Sequence, residues 1–229
     1  MELKKAIILC AGFGKRVMPL TKDTPKPLLK INNLELIEYS IKLLNNLGIN
    51  EIAVNAHYLK DKIKSFIDLK YPKIKIFNED PILDTGGALV NAKDFLGSEY
   101  FVVLNSDTVW QKNYIQPIIE LKNHVIKNNL LGGLLLAKKE KSFDENLKPD
   151  FDVDNDLMLI NEKKYIYTGF QILSSKTLVS RKAEFFSVKK IWDDLIEKRL
   201  IAGKIFEDTF YHTTDFDIYN KLNSQNLTY

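Results

Sequence analysis

The stretch that decides the fold is Ala6-Ile7-Ile8-Leu9, followed at once by Cys10-Ala11-Gly12-Phe13-Gly14-Lys15-Arg16. Four apolar residues in a row, two of them β-branched, predict a short strand buried on both faces, as a parallel sheet requires. The glycines predict a turn directly after it. Outward from this point, Leu34, Ile37, Ile41 and Leu44 recur at helical spacing and stop at Gly48. Residues 51–55 read as a second strand, 59–69 as a helix halted before Pro72, and 74–77 as a third strand. Gly86-Gly87 opens a helix carrying Leu89, Ala92, Phe95 and Leu96, and 101–104 form a fourth strand ending on Asn105-Ser106-Asp107. This alternation predicts an α/β fold with a mainly parallel sheet and right-handed crossovers. Further on, 132–137 and 165–173 read as strands, and Val188, Ile191, Trp192, Leu195 and Ile196 line one helix face. The acidic run 150–156 reads as a turn.

The chain has 229 residues, 45% of them hydrophobic and 28% charged, which suits one large domain over 1–229. Within it, 1–110 form a regular half and 111–229 a less regular one. Thirty-three basic against 30 acidic side chains give a net charge of +3, too balanced for a surface that coats nucleic acid. Cys10 is the single cysteine, which excludes an internal disulfide and suits the reducing cytoplasm. The apolar run at 6–9 is too short for a signal-peptide core or a membrane span. A cytoplasmic protein without membrane attachment is expected, as a monomer or small homo-oligomer.

Ligands of such sheets sit beyond the carboxyl ends of the strands. Three polar or glycine-rich segments lie there: 10–27, 55–58 and 105–107. The first fails two familiar phosphate motifs. A dinucleotide fingerprint needs glycine where Val17 stands, and a P-loop needs Ser or Thr where Arg16 stands. What remains is a turn whose glycines let backbone N–H groups approach phosphate oxygens. Arg16 adds a guanidinium fork and Lys26, between Pro25 and Pro27, a directed point charge. On local grounds a plain glycine turn with solvated basic residues stays open.

The spacing of the whole segment resembles the signature of the nucleotide-sugar pyrophosphorylase family. Its elements here are Gly12, Gly14 and Arg16, then Pro19-Leu20-Thr21, then Pro25-Lys26-Pro27. Asn55-Ala56-His57-Tyr58, Leu83-Asp84-Thr85-Gly86-Gly87, Asn105-Ser106-Asp107 and Tyr167-Thr168-Gly169-Phe170 follow in family order. The short length and the Asn-Ala-His and Thr-Gly-Gly motifs look most like the N-acetylmuramate 1-phosphate uridylyltransferase branch. The resemblance implies a single-domain Rossmann-like (GT-A-type) mixed sheet flanked by helices, with a nucleotide half at 1–110 and a sugar half at 111–229. It implies nucleotide contacts from Ala11, Gly12, Gly14, Lys15, Arg16, Lys26, Asn55, Thr85, Gly86 and Asn105. It places the acceptor against Asp150, Tyr167 and Gly169, with Phe170 nearby. Its catalytic set is Arg16, Lys26 and Asp107, and its cofactor is Mg²⁺ on Asp107, with Mn²⁺ as an alternative.

Such residues suit the chemistry. A sugar 1-phosphate is already a nucleophile, because its second pKa is ~6, so no general base is needed. The work is positioning and charge neutralisation around the α-phosphate of a nucleoside triphosphate, most simply UTP. Asp107, at a strand end, supplies the hard oxygen that Mg²⁺ prefers. His57 and His124 read as ordinary structural or surface residues.

The chain also departs from the family. Many members carry Trp-x-Asp-x-Gly-Thr, whose Asp is a second metal ligand. Here the stretch is Phe210-Tyr211-His212-Thr213-Thr214-Asp215. Either His212 takes the metal position, favouring Mn²⁺ over Mg²⁺, or Asp215 substitutes, or Asp107 and phosphates suffice. No base-reading Gln stands near Ile82. Two other functions stay open: a phosphocholine cytidylyltransferase, using Asp150, Asp152 and Asp154 for the ammonium, and a catalytically weak regulatory subunit that binds nucleotide sugars.

Overall fold

In the computed structural model, which describes residues 3–97, 99–225 and 227, β1 (Lys5–Leu9) lies near the middle of an eight-stranded sheet. A two-stranded hairpin, β2 (Lys30–Ile31) and β3 (Leu34–Glu35), leads into α1 (Leu36–Asn46). Next come β4 (Glu51–Ala56), α2 (Lys60–Lys70), β5 (Lys75–Asn78), α3 (Asp84–Asn91), α4 (Lys93–Leu96) and β6 (Tyr100–Asn105). The second half runs α5 (Ile115–Lys127), β7 (Gly132–Lys138), β8 (Phe151–Val153), β9 (Leu159–Ser174), α6 (Lys189–Glu197), β10 (Ile201–Phe206) and α7 (Phe216–Asn223).

The strand order is β10-β7-β9-β6-β1-β4-β5, with β8 attached to β9. β5, β4, β1 and β6 are mutually parallel, and so are β7 and β10. β9 runs antiparallel to both β6 and β7 and joins the two halves into one mixed sheet. The expected α/β architecture is therefore present.

Alternation along the strands divides the core. Ala6 and Ile8 of β1, with Val102 and Leu104 of β6, face α1, α2, α5 and α7. Ile7, Phe101 and Val103 face α3, α4 and α6. Ile7 and Ile8 are fully buried, each contributing about 1.5–3 kcal/mol of burial energy. α1 starts with a capping box, Glu35 with Glu38, and the chain turns away at Gly48, whose φ of 75° suits glycine.

The structure corrects several details. The run 150–156 is not only a turn: Phe151–Val153 pairs with β9 as strand β8. Its alternation, with Phe151 and Val153 flanking Asp152, is too short to stand out against the surrounding acids. α3 begins at Asp84, so Gly86 and Gly87 lie inside its first turn. α5, β10 and α7 are additional elements. Ile118, Leu121 and Val125 give α5 its buried stripe, and β10 forms an edge beside β7.

Register fixes the site. Leu9 pairs with Asn55 on one side and with Asn105 on the other. Three carboxyl ends are thus level, and the segments that follow emerge side by side.

Candidate active site

A cavity of about 320 Å³ opens over these three strand ends. Ala11, Gly12, Gly14, Lys15, Arg16, Lys26, Asn55, Thr85, Asn105 and Asp107 all line it, as do Glu79, Ser106 and Thr214. The glycine turn forms its rim. Gly14 has φ 62°, a conformation that favours glycine, and a Cβ there would meet Thr21 Cγ2 at 2.8 Å. Gly12 has open space where its Cβ would be, so backbone is exposed to whatever enters. Cys10 lies beneath the turn, and burial pushes its thiol well above the ordinary range, which makes it inert.

Lys26, Asp107 and His212 meet at one edge of the cavity. Lys26 Nζ donates to Asp107 Oδ2 at 2.6 Å, and His212 Nε2 lies 3.2 Å from Oδ1. Segment 210–214 brings His212 there by pairing with 107–109: Val109 N donates to Tyr211 O, and Thr213 N to Asp107 O. His212 Nδ1 is 3.1 Å from Thr214 Oγ1. Burial alone would raise the Asp107 carboxyl, but the charges of His212 and Lys26 prevail and hold it well below the usual range. Asp107 is an anion held by the Lys26 ammonium at one oxygen, with the His212 ring beside the other.

Asp107 Oδ1 is nonetheless buried without a well-formed hydrogen bond, since the His212 contact is close but poorly aligned. An orphaned carboxylate oxygen beside a phosphate-sized cavity fits a divalent cation. Among the described residues no three His, Cys, Asp or Glu side chains converge as a metal cage. An ion held there would complete its shell with phosphates and water, which is how Mg²⁺ is usually bound.

Other expected residues are placed differently. Asp215 Oδ1 accepts from Ile218 N as the N-cap of α7, so it serves the helix rather than the cavity. The Gly86 amide donates to Phe186 O, and Thr85 Oγ1 accepts from Val188 N. Gly86 and Gly87 are required by packing: a Cβ would come within 2.3 Å of the Phe186 ring and 2.1 Å of Glu184 O, respectively. Asn55 lines the cavity, but both ends of its amide are engaged: Oδ1 accepts from Cys10 N, and Nδ2 donates to Glu79 Oε1.

On the acceptor side, Asp150 Oδ2 accepts from Tyr167 N. The Tyr167 ring packs edge-on against Trp192, with centroids 4.9 Å apart, and its hydroxyl is buried. Phe170 is fully buried beside Trp110 and is a core residue. Gly169, at φ 93°, allows β9 to approach Asn105, whose Cβ would lie 2.9 Å from an added methyl group. Asp150, Tyr167 and Gly169 therefore stand outside the cavity lined by the nucleotide residues. Asp152 and Asp154 pair with Lys164 and Arg199. His57 Nδ1 lies against Glu79 O, and His124 is on the exposed face of α5.

Glu79 was not foreseen. It is 1% exposed, its Oε1 accepts from Asn55 and its Oε2 from Leu83 N. Burial raises its carboxyl above the ordinary value. Its position just past β5, level with the other strand ends, was the available signal.

A family model described as nucleotidyl transferase matches residues 5–143. The chain is 32% identical over 177 residues to the CTP:phosphoglutamine cytidylyltransferase of Campylobacter jejuni, covering 61% of this chain and 68% of that protein. It is 30% identical over 216 residues to the D-glycero-alpha-D-manno-heptose 1-phosphate guanylyltransferase of the same organism, covering 90% and 92%. Against the bifunctional protein GlmU of Methanocaldococcus jannaschii, identity is 31% and the match spans 44% of that longer protein. A solved Bacillus anthracis structure containing sucrose shares the fold with a TM-score of 0.81 at 17% identity, covering 99% of this chain and 97% of the other.

Proposed function

The chain belongs to the nucleotidyl transferase family, and on that premise we propose that it transfers UMP from UTP to a sugar 1-phosphate, releasing pyrophosphate. The acceptor in this reading is N-acetylmuramate 1-phosphate. The observation that carries the proposal is the meeting of Lys26, Asp107 and His212 at the edge of the cavity rimmed by the glycine turn.

In the proposed reaction the backbone at Gly12 and Gly14, with Lys15 and Arg16, holds the triphosphate. Lys26 directs its ammonium at the α-phosphate, where negative charge accumulates as the acceptor oxygen attacks and pyrophosphate departs in line. Asp107 is the residue that would hold Mg²⁺, whose role is to neutralise phosphate charge. The proton inventory is simple: the attacking phosphate is already a dianion, so no side chain needs to remove a proton. Asp150 and Tyr167, placed by β9, are assigned to the acceptor half at 111–229, and residues 1–110 to the nucleotide half.

The base is the point where relatives diverge, since the two from Campylobacter jejuni are named for cytidylyl and guanylyl transfer. UTP rests on the Asn55-Ala56-His57 and Thr85-Gly86-Gly87 motifs. The phosphocholine alternative draws less support, because Asp152 and Asp154 are paired with basic side chains and Trp192 packs on Phe151 and Tyr167. The test is pyrophosphate release with each of the four nucleoside triphosphates, Mg²⁺, and a panel of sugar 1-phosphates plus phosphocholine. UTP with N-acetylmuramate 1-phosphate should turn over fastest. Faster turnover with another pair replaces that assignment, and no release with any pair, while a nucleotide sugar binds, makes the chain a binding subunit.

A further inference from the structure

His57 and Tyr58, which directly follow β4, contact the glycine-turn segment from outside the cavity. Tyr58 does most of this. Its hydroxyl donates to Thr21 O at 2.8 Å and is 3.2 Å from Lys22 O. Its amide reaches Ala11 O at 3.5 Å, and its ring lies 5.5 Å from the Phe13 ring. His57 meets the same Phe13 edge-on at 5.6 Å. Two arms of the segment, 11–14 and 19–22, are thus held by one side chain.

The arms are also fastened to each other. Thr21 is fully buried, and its Oγ1 donates to Gly14 O at 2.9 Å. Thr21 Cγ2 fills the space a side chain at position 14 would need, 2.8 Å from where a Cβ would stand, and the hydrogen bond to Gly14 O ties the two residues together. Ala11 and Val17 anchor the ends of the turn in the core, but between them residues 12–16 are exposed or half-buried, with Phe13 40% exposed, so little core packing fixes the turn itself. A loop with few buried contacts takes its order from hydrogen bonds such as these.

We propose that Tyr58 is a positioning residue, which holds the glycine turn in its anion-binding form through Thr21 and Gly14. This rests on the reading of residues 11–16 as the triphosphate site. Preorganised amides bind an anion without first losing loop entropy, so releasing the loop weakens binding. Lys26 is fixed independently by Pro25, Pro27 and the Asp107 pair, so the chemical step is largely spared.

The probe is inorganic tripolyphosphate with Mg²⁺, which carries the anionic part of the substrate and no base, followed by calorimetry. Tyr58→Phe keeps the ring and removes the hydroxyl. Its Kd for tripolyphosphate should rise roughly three- to tenfold, the range one hydrogen bond supports. KM for the best nucleoside triphosphate should rise by the same factor, with kcat changed less than about twofold. Tyr58→Ala, which also loses the Phe13 contact, should weaken binding further. Tyr100→Phe is the control: it removes a hydroxyl bonded to Leu130 O at 2.7 Å, at the start of β6 and so at the opposite end from the strand ends that carry the cavity, and should leave Kd unchanged. An unchanged Kd in Tyr58→Phe overturns the proposal, and so does a fall in Tm with Kd intact. Failure of the wild-type protein to bind tripolyphosphate overturns the triphosphate reading itself, and is seen before any variant is made.

Discussion

The Lys26 ammonium and the Asp107 carboxylate, 81 residues apart in sequence, are joined by a 2.6 Å hydrogen bond at the edge of the cavity. Each holds the other in place before any phosphate arrives. Lys26→Ala should lower kcat on the order of 10²- to 10³-fold, the effect typical of removing one electrostatic donor. Nucleotide KM should move far less. Steady-state kinetics decide this, because a raised KM with unchanged kcat assigns Lys26 to uniform binding instead.

Asp107→Asn preserves shape but removes the charge that Lys26 and His212 face. Turnover at limiting Mg²⁺ should be abolished while the circular dichroism spectrum is retained. Near-normal activity in that variant would remove Asp107 as the principal metal ligand.

The family signature that the sequence resembles has an acid where His212 stands, and His212 Nε2 is 3.2 Å from Asp107 Oδ1. Imidazole suits Mn²⁺ better than Mg²⁺. If His212 takes a metal position, the wild-type protein should turn over faster with Mn²⁺, and His212→Asp should shift the preference to Mg²⁺. Identical metal preference in the two proteins excludes His212 from the metal shell.

Glycine positions should separate by what lies opposite them. Gly87→Ala places a methyl group 2.1 Å from the Glu184 carbonyl oxygen, a backbone atom that cannot rotate away. It should cost about 1–3 kcal/mol in urea unfolding. Gly12→Ala meets nothing within 4 Å and should change stability by less than about 0.5 kcal/mol. Equal losses at the two sites would contradict the packing account.

Tyr39 is 2% exposed, its hydroxyl donates to Ile31 O, and burial pushes its phenol up to about 12. The unfolded phenol ionises near pH 10, so this raised pKa contributes stability that is complete below pH 10 and lost as pH rises towards 12. The phenols of Tyr71, Tyr100, Tyr114, Tyr167 and Tyr219 are raised in the same direction. Wild-type stability should fall steeply over that window. Tyr39→Phe should show a shallower fall, measured as urea midpoints at pH 9, 10, 11 and 12. An unchanged slope would show that the Tyr39 phenol titrates alike in both states.

The sequence by itself determined the parallel strands around β1, the strand-end location of the cavity and the glycine segment that rims it. Those features follow from local patterns: continuous apolar runs for parallel strands, helical spacing for their connections, and glycine where the chain must turn sharply. Lys26, Arg16 and Asp107 were legible because the motif spacing of 10–27 and 105–107 is itself local. Only the tertiary structure decided which partners those residues take. That Asn55 holds Cys10 N and Glu79, that Asp215 caps α7, and that Gly86-Gly87 make room for Phe186 and Glu184 depend on contacts across 45, 3 and about 100 residues. The second of these is short-range, yet an aspartate can cap or coordinate, and only the backbone direction of α7 chooses. The placement of His212 beside Asp107 depends on the pairing of 210–214 with 107–109, a non-local match that no periodicity in either segment announces.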